Sequence, residues 1–192
     1  MNTSTTNPAA GGAALYAIDP AHTHVEFAVR HLMISTVKGS FKELQGTVRV
    51  DESDTTRPAV SVTINAASID TREPQRDAHL RSADFLDVDR APAIAFKSRR
   101  ADGQLDRPFK LAGDLTIRGV TREVVLDVVP EGRGVDPWGN ERAGFSATAR
   151  ISRGEFGLTY NQVLEAGGVL IGDEVKISID VELVKQAAGS AA

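Results

Sequence analysis

The segment DEVKISIDVEL alternates residue by residue, with Val175, Ile177, Ile179, Val181 and Leu183 on one side and Lys176, Ser178, Asp180 and Glu182 on the other. Successive side chains of a strand point to opposite faces, so a period of two predicts a strand with one apolar and one wet face. HVEFAVRH repeats the pattern, grouping Val25, Phe27, Val29 and His31 against His24, Glu26 and Arg30. GTVRV, AVSVTINAASI, PAIAFKS and GFSATARI alternate similarly between Gly, Pro, Asp and Asn boundaries. FKLAGDLTI and VTREVVLDVV are separated only by Arg118 and Gly119, the spacing of a β-hairpin. VDPWGNER supplies turn residues before GFSATARI. The pattern predicts about eight strands joined mostly by short connections.

One segment reads as helix. In TREPQRDAHLRSADFLD, Pro74 suits a first helical turn, and Ala78, Leu80 and Arg81 sit in helix-tolerant surroundings, which predicts a helix over about residues 73–83. An antiparallel sheet of this size with one helical insertion must close into a barrel or split into a sandwich, because an open sheet leaves two long edges. The expectation is an all-β, eight-stranded antiparallel barrel. Its interior is of the size that side chains can fill or one small ligand can occupy. Small residues share the inward parity with large ones: Ala147 and Ala149 with Phe145, and Gly113 with Phe109, Leu111, Leu115 and Ile117. This pattern fits either a ligand cavity or a closely packed core.

Composition narrows the function classes. At 192 residues, 41% hydrophobic and 25% charged, the chain is ordinary for one soluble domain with a full core. Its 22 basic and 26 acidic residues give a net charge of -4, which argues against a nucleic-acid partner. There is no cysteine, so disulfides, thiolate nucleophiles and Cys-ligated metals are excluded. MNTSTTNPAAGGAA has neither the basic start nor the apolar run of a signal peptide, so residues 1–14 are expected to form a disordered leader and the location to be cytoplasmic. Residues 186–192, QAAGSAA, are expected to be a disordered tail, leaving 15–185 as one domain. No stretch reaches the length of a transmembrane helix.

Several blocks occur in order: IDPAHTHVEFAVRHLMISTVKGSF, ASIDTREPQRDAHLRSADFLDV with PAIAFKS, LAGDLTIRGVT, ISRGEFGL and GDEVKISIDVEL. Together, from about Leu15 to Lys185, they resemble the YceI-like family of bacterial polyisoprenoid-binding proteins. The resemblance implies an extended, lipocalin-like barrel whose apolar channel takes a polyprenyl chain or another long lipid. Many members of the family are periplasmic and carry a signal peptide, whereas the opening residues here are not expected to act as one. A buried methylene contributes about 0.8 kcal/mol, so a five-carbon prenyl unit contributes up to roughly 4 kcal/mol. Association costs offset much of that gain, so channel length would select among ligands. The expected lining is Phe27, Val29, Phe41, Ile94, Phe96, Leu115, Ile117, Phe145 and Ala147, with Phe85 covering the side or mouth. His31 shares the inward parity and is a candidate for a head group or a buried polar atom. Met33, in the apolar LMIS loop, is a candidate lipid contact at the mouth.

Other polar residues suggest rival chemistry. His22, His24 and Glu26 share a parity, as the start of a cupin-like metal site would, but the later glutamate and histidine of that pattern are missing. A structural hydrogen bond from His22 at the entry to the first long strand is the expected role. His79, in the helix near Asp77 and Arg81, is expected to make a helix-surface or capping contact. Arg72, Arg76 and Arg81, with Lys38, are candidates for a diphosphate head group or members of a solvated face. Arg153 and Glu155 beside Phe156 suggest a corner with a salt bridge. There is no GxSxG, HExxH or glycine-rich phosphate loop, so no catalytic residue is assigned and the chain is not expected to be an enzyme.

The reading is a barrel that binds a long-chain isoprenoid or similar amphiphile for carriage, storage or sensing. No metal or other cofactor is expected, and the partner is a hydrophobic small molecule. A homodimer formed through an imperfectly closed strand edge stays open, because no residue decides it. The alternatives are a cupin-like metalloenzyme using His22, His24 and Glu26, and a barrel with a collapsed interior.

Overall fold

A computed structural model describes residues 13–51, 54–163 and 169–187. Most of the expected leader, residues 1–12, and positions 188–192 of the expected tail lie outside the described residues. The chain forms β1 (Ala13–Ile18), β2 (His24–His31), β3 (Ser35–Phe41), β4 (Leu44–Asp51), β5 (Asp54–Asn65), β6 (Ile69–Asp70), β7 (Ala93–Asp102), β8 (Phe109–Ile117), β9 (Val120–Val135), β10 (Glu141–Ser152) and β11 (Ile171–Lys185). Of these, β1 and β3 are strands in addition to the alternating segments, and AVSVTINAASI is divided by a 3-10 turn over Ala66–Ser68. The one α-helix, α1, spans Pro74–Arg81. Ala13 and Ala14, placed in the leader on composition, pair with Asp51 and Val50 and so belong to the sheet. At the other end Gln186 donates its backbone N–H to Leu15 O at 2.8 Å, which ties the start of the expected tail to β1.

The strands run in the order β1-β4-β5-β7-β8-β9-β10-β11, all antiparallel, and β11 pairs back onto β1 through Ile18–Leu183 and Tyr16–Lys185. That closure makes an eight-stranded barrel, as expected, and removes the two edges an open sheet would expose. Two staves are broken. β1 and β2 lie along the same side of β11, interrupted at a 3-10 turn over Pro20–His22, while β3 and β4 are separated by Lys42 and Glu43. Beyond the break the sheet continues as β11-β2-β3-β6 and stops at β6.

Helix α1 stands where strand pairing ends. Pro74 takes the first helical position, and the Glu73 carboxylate caps the helix by accepting the Gln75 N–H at 3.2 Å. Arg81 at the last position donates to Ala67 O at 2.7 Å and Ile69 O at 2.8 Å, bonding the helix to the β5–β6 connection. Buried Asp77 accepts from Thr71 N at 2.9 Å and Thr71 Oγ1 at 2.6 Å, fixing the turn into the helix. Helix α1, the segment after it and residues 153–163 following β10 gather at one end of the barrel, called here the capped end.

Two hairpin turns lie at the capped end. Arg118 (φ 50°) and Gly119 (φ 74°) join β8 to β9 in the expected two-residue turn. The Arg118 guanidinium donates to Gly157 O at 3.0 Å and Ala83 O at 2.7 Å, which joins the turn to both capping loops. LMIS, expected as a loop, is a tight turn with Leu32 (φ 51°) and Met33 (φ 59°) both left-handed. The corner SRGEFG is a 3-10 turn that buries Phe156 completely. Its expected salt bridge does not form: Arg153 is buried and donates to the carbonyls of Gly172, Leu158, Tyr160 and Ile171, while Glu155 is exposed.

Candidate ligand-binding cavity

The inward faces do not meet across the barrel. They enclose a cavity of about 790 Å³, within the roughly 300–1,000 Å³ typical of small-molecule sites. Its wall comes from every stave, because alternation along each strand sends the apolar set inward: Val25, Phe27 and Val29 on β2 stand beside Ile179, Ile177 and Val175 on β11. Packed clusters flank it without filling it. One, around Ile64, Ile69, Leu86, Ile94, Leu115, Ile117, Val124 and Phe156, includes residues of the capped end; the other centres on Phe109, Leu111, Val128 and Ala147.

Eleven of the twelve residues singled out from the sequence lie on this wall: Phe27, Val29, His31, Phe41, Phe85, Ile94, Phe96, Leu115, Ile117, Phe145 and Ala147. Met33 does not. It stands in the β2–β3 turn, 58% exposed, because the left-handed backbone there turns the chain before the side chain can reach the interior. His31 lines the cavity, and its imidazole has no hydrogen-bond partner among the described residues.

Interior glycines work differently from a simple gap. A Cβ at Gly39 would lie 2.4 Å from Phe27 Cζ, and one at Gly113 would lie 2.5 Å from Phe96 Cζ. Each ring lies over the bare backbone of an adjacent strand, so its bulk goes against the wall and the centre stays open. The Phe27 ring also packs on Phe41 at a centroid distance of 5.8 Å.

The capped end supplies residues that alternation had no means of placing. Leu158, Tyr160, Gln162, Leu170, Gln75 and Leu80 all line the cavity there. His79, Phe85 and Tyr160 form a ring cluster with centroids 4.8–5.1 Å apart, and His79 Nε2 lies 2.8 Å from Asp84 Oδ2. His79 thus makes the helix-surface contact expected of it, with Asp84 as the partner, and also lines the cavity. Because Gln75 and His79 are exposed and also line the cavity, the interior reaches solvent beside α1. Arg153 holds the connection carrying Tyr160, and burial pushes its guanidinium pKa down. Val48 and Val50 on β4, with Val60 and Val62 on β5, also belong to the wall, and the alternation of GTVRV and AVSVTIN would have found them.

The arginine candidates separate. Arg81 is committed to backbone carbonyls, while exposed Arg72 and Lys38 are absent from the wall. Arg76 alone of that group lines the cavity.

The histidines at the barrel entry do not form a cupin-like site. His22 lies in the 3-10 turn, off the strand that carries His24 and Glu26, so the three cannot share a strand face. Its Nδ1 lies 3.0 Å from Asp19 Oδ2, the structural bond expected of it. Asp19, His22 and Glu182 do come together, but a cation already serves them: Arg142 Nη1 is 2.8 Å from Asp19 Oδ2 and also bonds Glu182. Arg142 Nε reaches Asp136 Oδ2 at 2.8 Å. The bonds from Arg142 and then His22 hold the Asp19 carboxyl at about 2. Asp136 is held well below the usual carboxylate range, first by the Asn140 side chain and then by Arg142.

Among the described residues no helix is long and apolar enough to cross a membrane. The profile of the YceI-like domain matches residues 16–183. Protein YceI of Salmonella newport (strain SL254) is 40% identical over 176 residues, covering 91% of this chain and 88% of that protein. The crystal structure of the Campylobacter jejuni YCEI protein superposes with a TM-score of 0.70 at 30% identity, covering 82% of this chain and 90% of that one. A polyisoprenoid binding domain from Saccharophagus degradans, implicated in plant cell wall breakdown, shares the fold with a TM-score of 0.64 at 13% identity, covering 89% and 98%. An eight-stranded barrel, closed and capped in this way and matched almost from end to end, places the chain in the YceI-like domain family.

Proposed function

We propose that this protein is a non-enzymatic carrier, store or sensor that binds a long-chain isoprenoid or a comparable amphiphilic lipid in the barrel interior. The observation that carries the reading is the cavity itself: about 790 Å³, walled by aliphatic and aromatic side chains from every stave. An interior this apolar is matched by a hydrocarbon, since each methylene moved from water contributes about 0.8 kcal/mol. The shared fold of the Saccharophagus degradans polyisoprenoid binding domain supports the prenyl class. A cupin-like metalloenzyme is not carried forward, because the histidines it needs do not converge and Arg142 serves the nearby carboxylates.

Organic extraction of the purified protein followed by mass spectrometry tests the proposal. Release of a prenyl or other long-chain species, together with saturable uptake of a fluorescent long-chain probe by the extracted protein, is expected. Failure of both would leave a barrel without a lipid function.

A further inference from the structure

In a chain with a net charge of -4, the cavity wall has the opposite balance: Arg30, Arg76, Arg133 and Arg153 against one carboxylate, Glu26. Glu26 is exposed, on the parity of β2 opposite Val25 and Phe27. Two of the arginines have internal work. Arg153 gives its protons to four backbone carbonyls, and Arg30 bonds Met33 O and Thr36 Oγ1. Arg133 is exposed on the long β9–β10 hairpin, between Gly132 and Gly134, at the end away from the cap.

Arg76 is placed differently. Its Nε donates to Thr71 Oγ1 at 2.7 Å and its Nη2 to Thr71 O at 2.9 Å, which orients the half-buried guanidinium. Nη1 and the second Nη2 proton have no acceptor among the described residues. Neighbouring carboxylates are engaged elsewhere: Glu73 takes the backbone N–H groups of Gln75 and Arg76, and Asp77 takes Thr71 N–H and O–H. A planar guanidinium, fixed on one edge and open on the other at the wall of an apolar cavity, matches two oxygens of an anion.

We propose that the ligand is an anionic amphiphile, with a phosphate or carboxylate head group held at the capped end by the free edge of Arg76. This inference rests on the lipid-binding reading and adds the head-group class to it. Pre-orientation by Thr71 favours Arg76 over Arg133, because the side chain is already ordered before the ligand arrives.

The test compares farnesyl phosphate with farnesol, two ligands with the same hydrocarbon, by displacement of a neutral fluorescent probe from the extracted protein. A charge-assisted contact predicts that the phosphate binds about ten- to a hundredfold more tightly than the alcohol. Arg76→Gln should reduce that ratio at least about tenfold, and Arg76→Lys, which keeps the charge but loses the planar fork, should fall between Arg76→Gln and the unsubstituted protein. Arg150→Gln, which removes an exposed outer-wall arginine paired with Glu174, should leave the ratio unchanged. Thermal unfolding of each variant verifies that it is folded. Equal binding of phosphate and alcohol by the unsubstituted protein would overturn the anionic head group while leaving lipid binding intact. Binding of neither would overturn the lipid reading and this inference with it. A ratio that survives Arg76→Gln, or is lost in Arg133→Gln instead, would overturn the assignment to Arg76.

Discussion

Gly39 on β3 stands opposite Phe27 on β2, and a methyl group on its Cα would meet Phe27 Cζ at 2.4 Å and Thr71 Cγ2 at 2.8 Å. The ring is the part that can yield, and the open direction is the cavity. Gly39→Ala is therefore expected to swing Phe27 inward, reduce uptake of a long-chain probe several-fold, and destabilise the fold by about 1–3 kcal/mol, as overpacking usually does. Probe titration and urea unfolding check this; unchanged uptake would mean that the ring is accommodated elsewhere. Gly113 differs, since a methyl there also meets Lys97 O at 2.5 Å and a backbone cannot swing aside. The sequence shows both glycines on an inward parity, but it does not show that a ring from the next strand lies over each one.

At the scale of elements, the broken stave β1–β2 needs something to hold it against β11. Arg142 on β10 joins Asp19 at the break to Glu182 on β11 and Asp136 in the β9–β10 turn. The Asp19 and Asp136 carboxyls have folded pKa values below their unfolded ones, about 2 for Asp19. Their stabilisation is complete above the unfolded value near ~3.9 and is lost as pH falls through the folded values. The melting temperature of the unsubstituted protein should therefore fall more steeply between about pH 4.5 and 2 than that of Arg142→Gln. Parallel melting curves against pH would show that these bonds do not couple to folding. None of the four residues was legible as a group, because Asp19 and Arg142 lie 123 positions apart and only the closure of the barrel brings them together.

For the whole molecule, cavity length should set the ligand range. Ala147 lies midway along β10, between Val128 on β9 and Ile179 on β11, and is 6% exposed on the cavity wall. Ala147→Trp places a ring across the interior. It is expected to abolish binding of a 40-carbon prenyl chain while retaining binding of a 10-carbon one, given about 0.8 kcal/mol lost per methylene excluded. A chain-length series read by probe displacement would show the cut-off; loss of both ligands from a folded variant would instead point to a single short subsite.

Alternation determined most of the strands and their inward faces, because a period of two is a local property that survives in any compact arrangement of the chain. By contrast, β1, β3 and the closure of the sheet into a barrel took pairings between distant segments to define. Pro74 and the Arg118–Gly119 pair marked the helix start and a hairpin for equally local reasons. Whether the inward faces would touch depended on where whole rings lie relative to neighbouring strands, as Phe27 does over Gly39 and Phe96 over Gly113. Only the tertiary structure decided that, and with it the open interior. The capped end also lay beyond local pattern: Tyr160, His79 and Arg76 come from segments without strand alternation, gathered by the hydrogen bonds of Arg81, Arg118 and Arg153 to distant carbonyls. Such bonds join backbone groups up to 39 positions away, so no periodicity in the chain announces them.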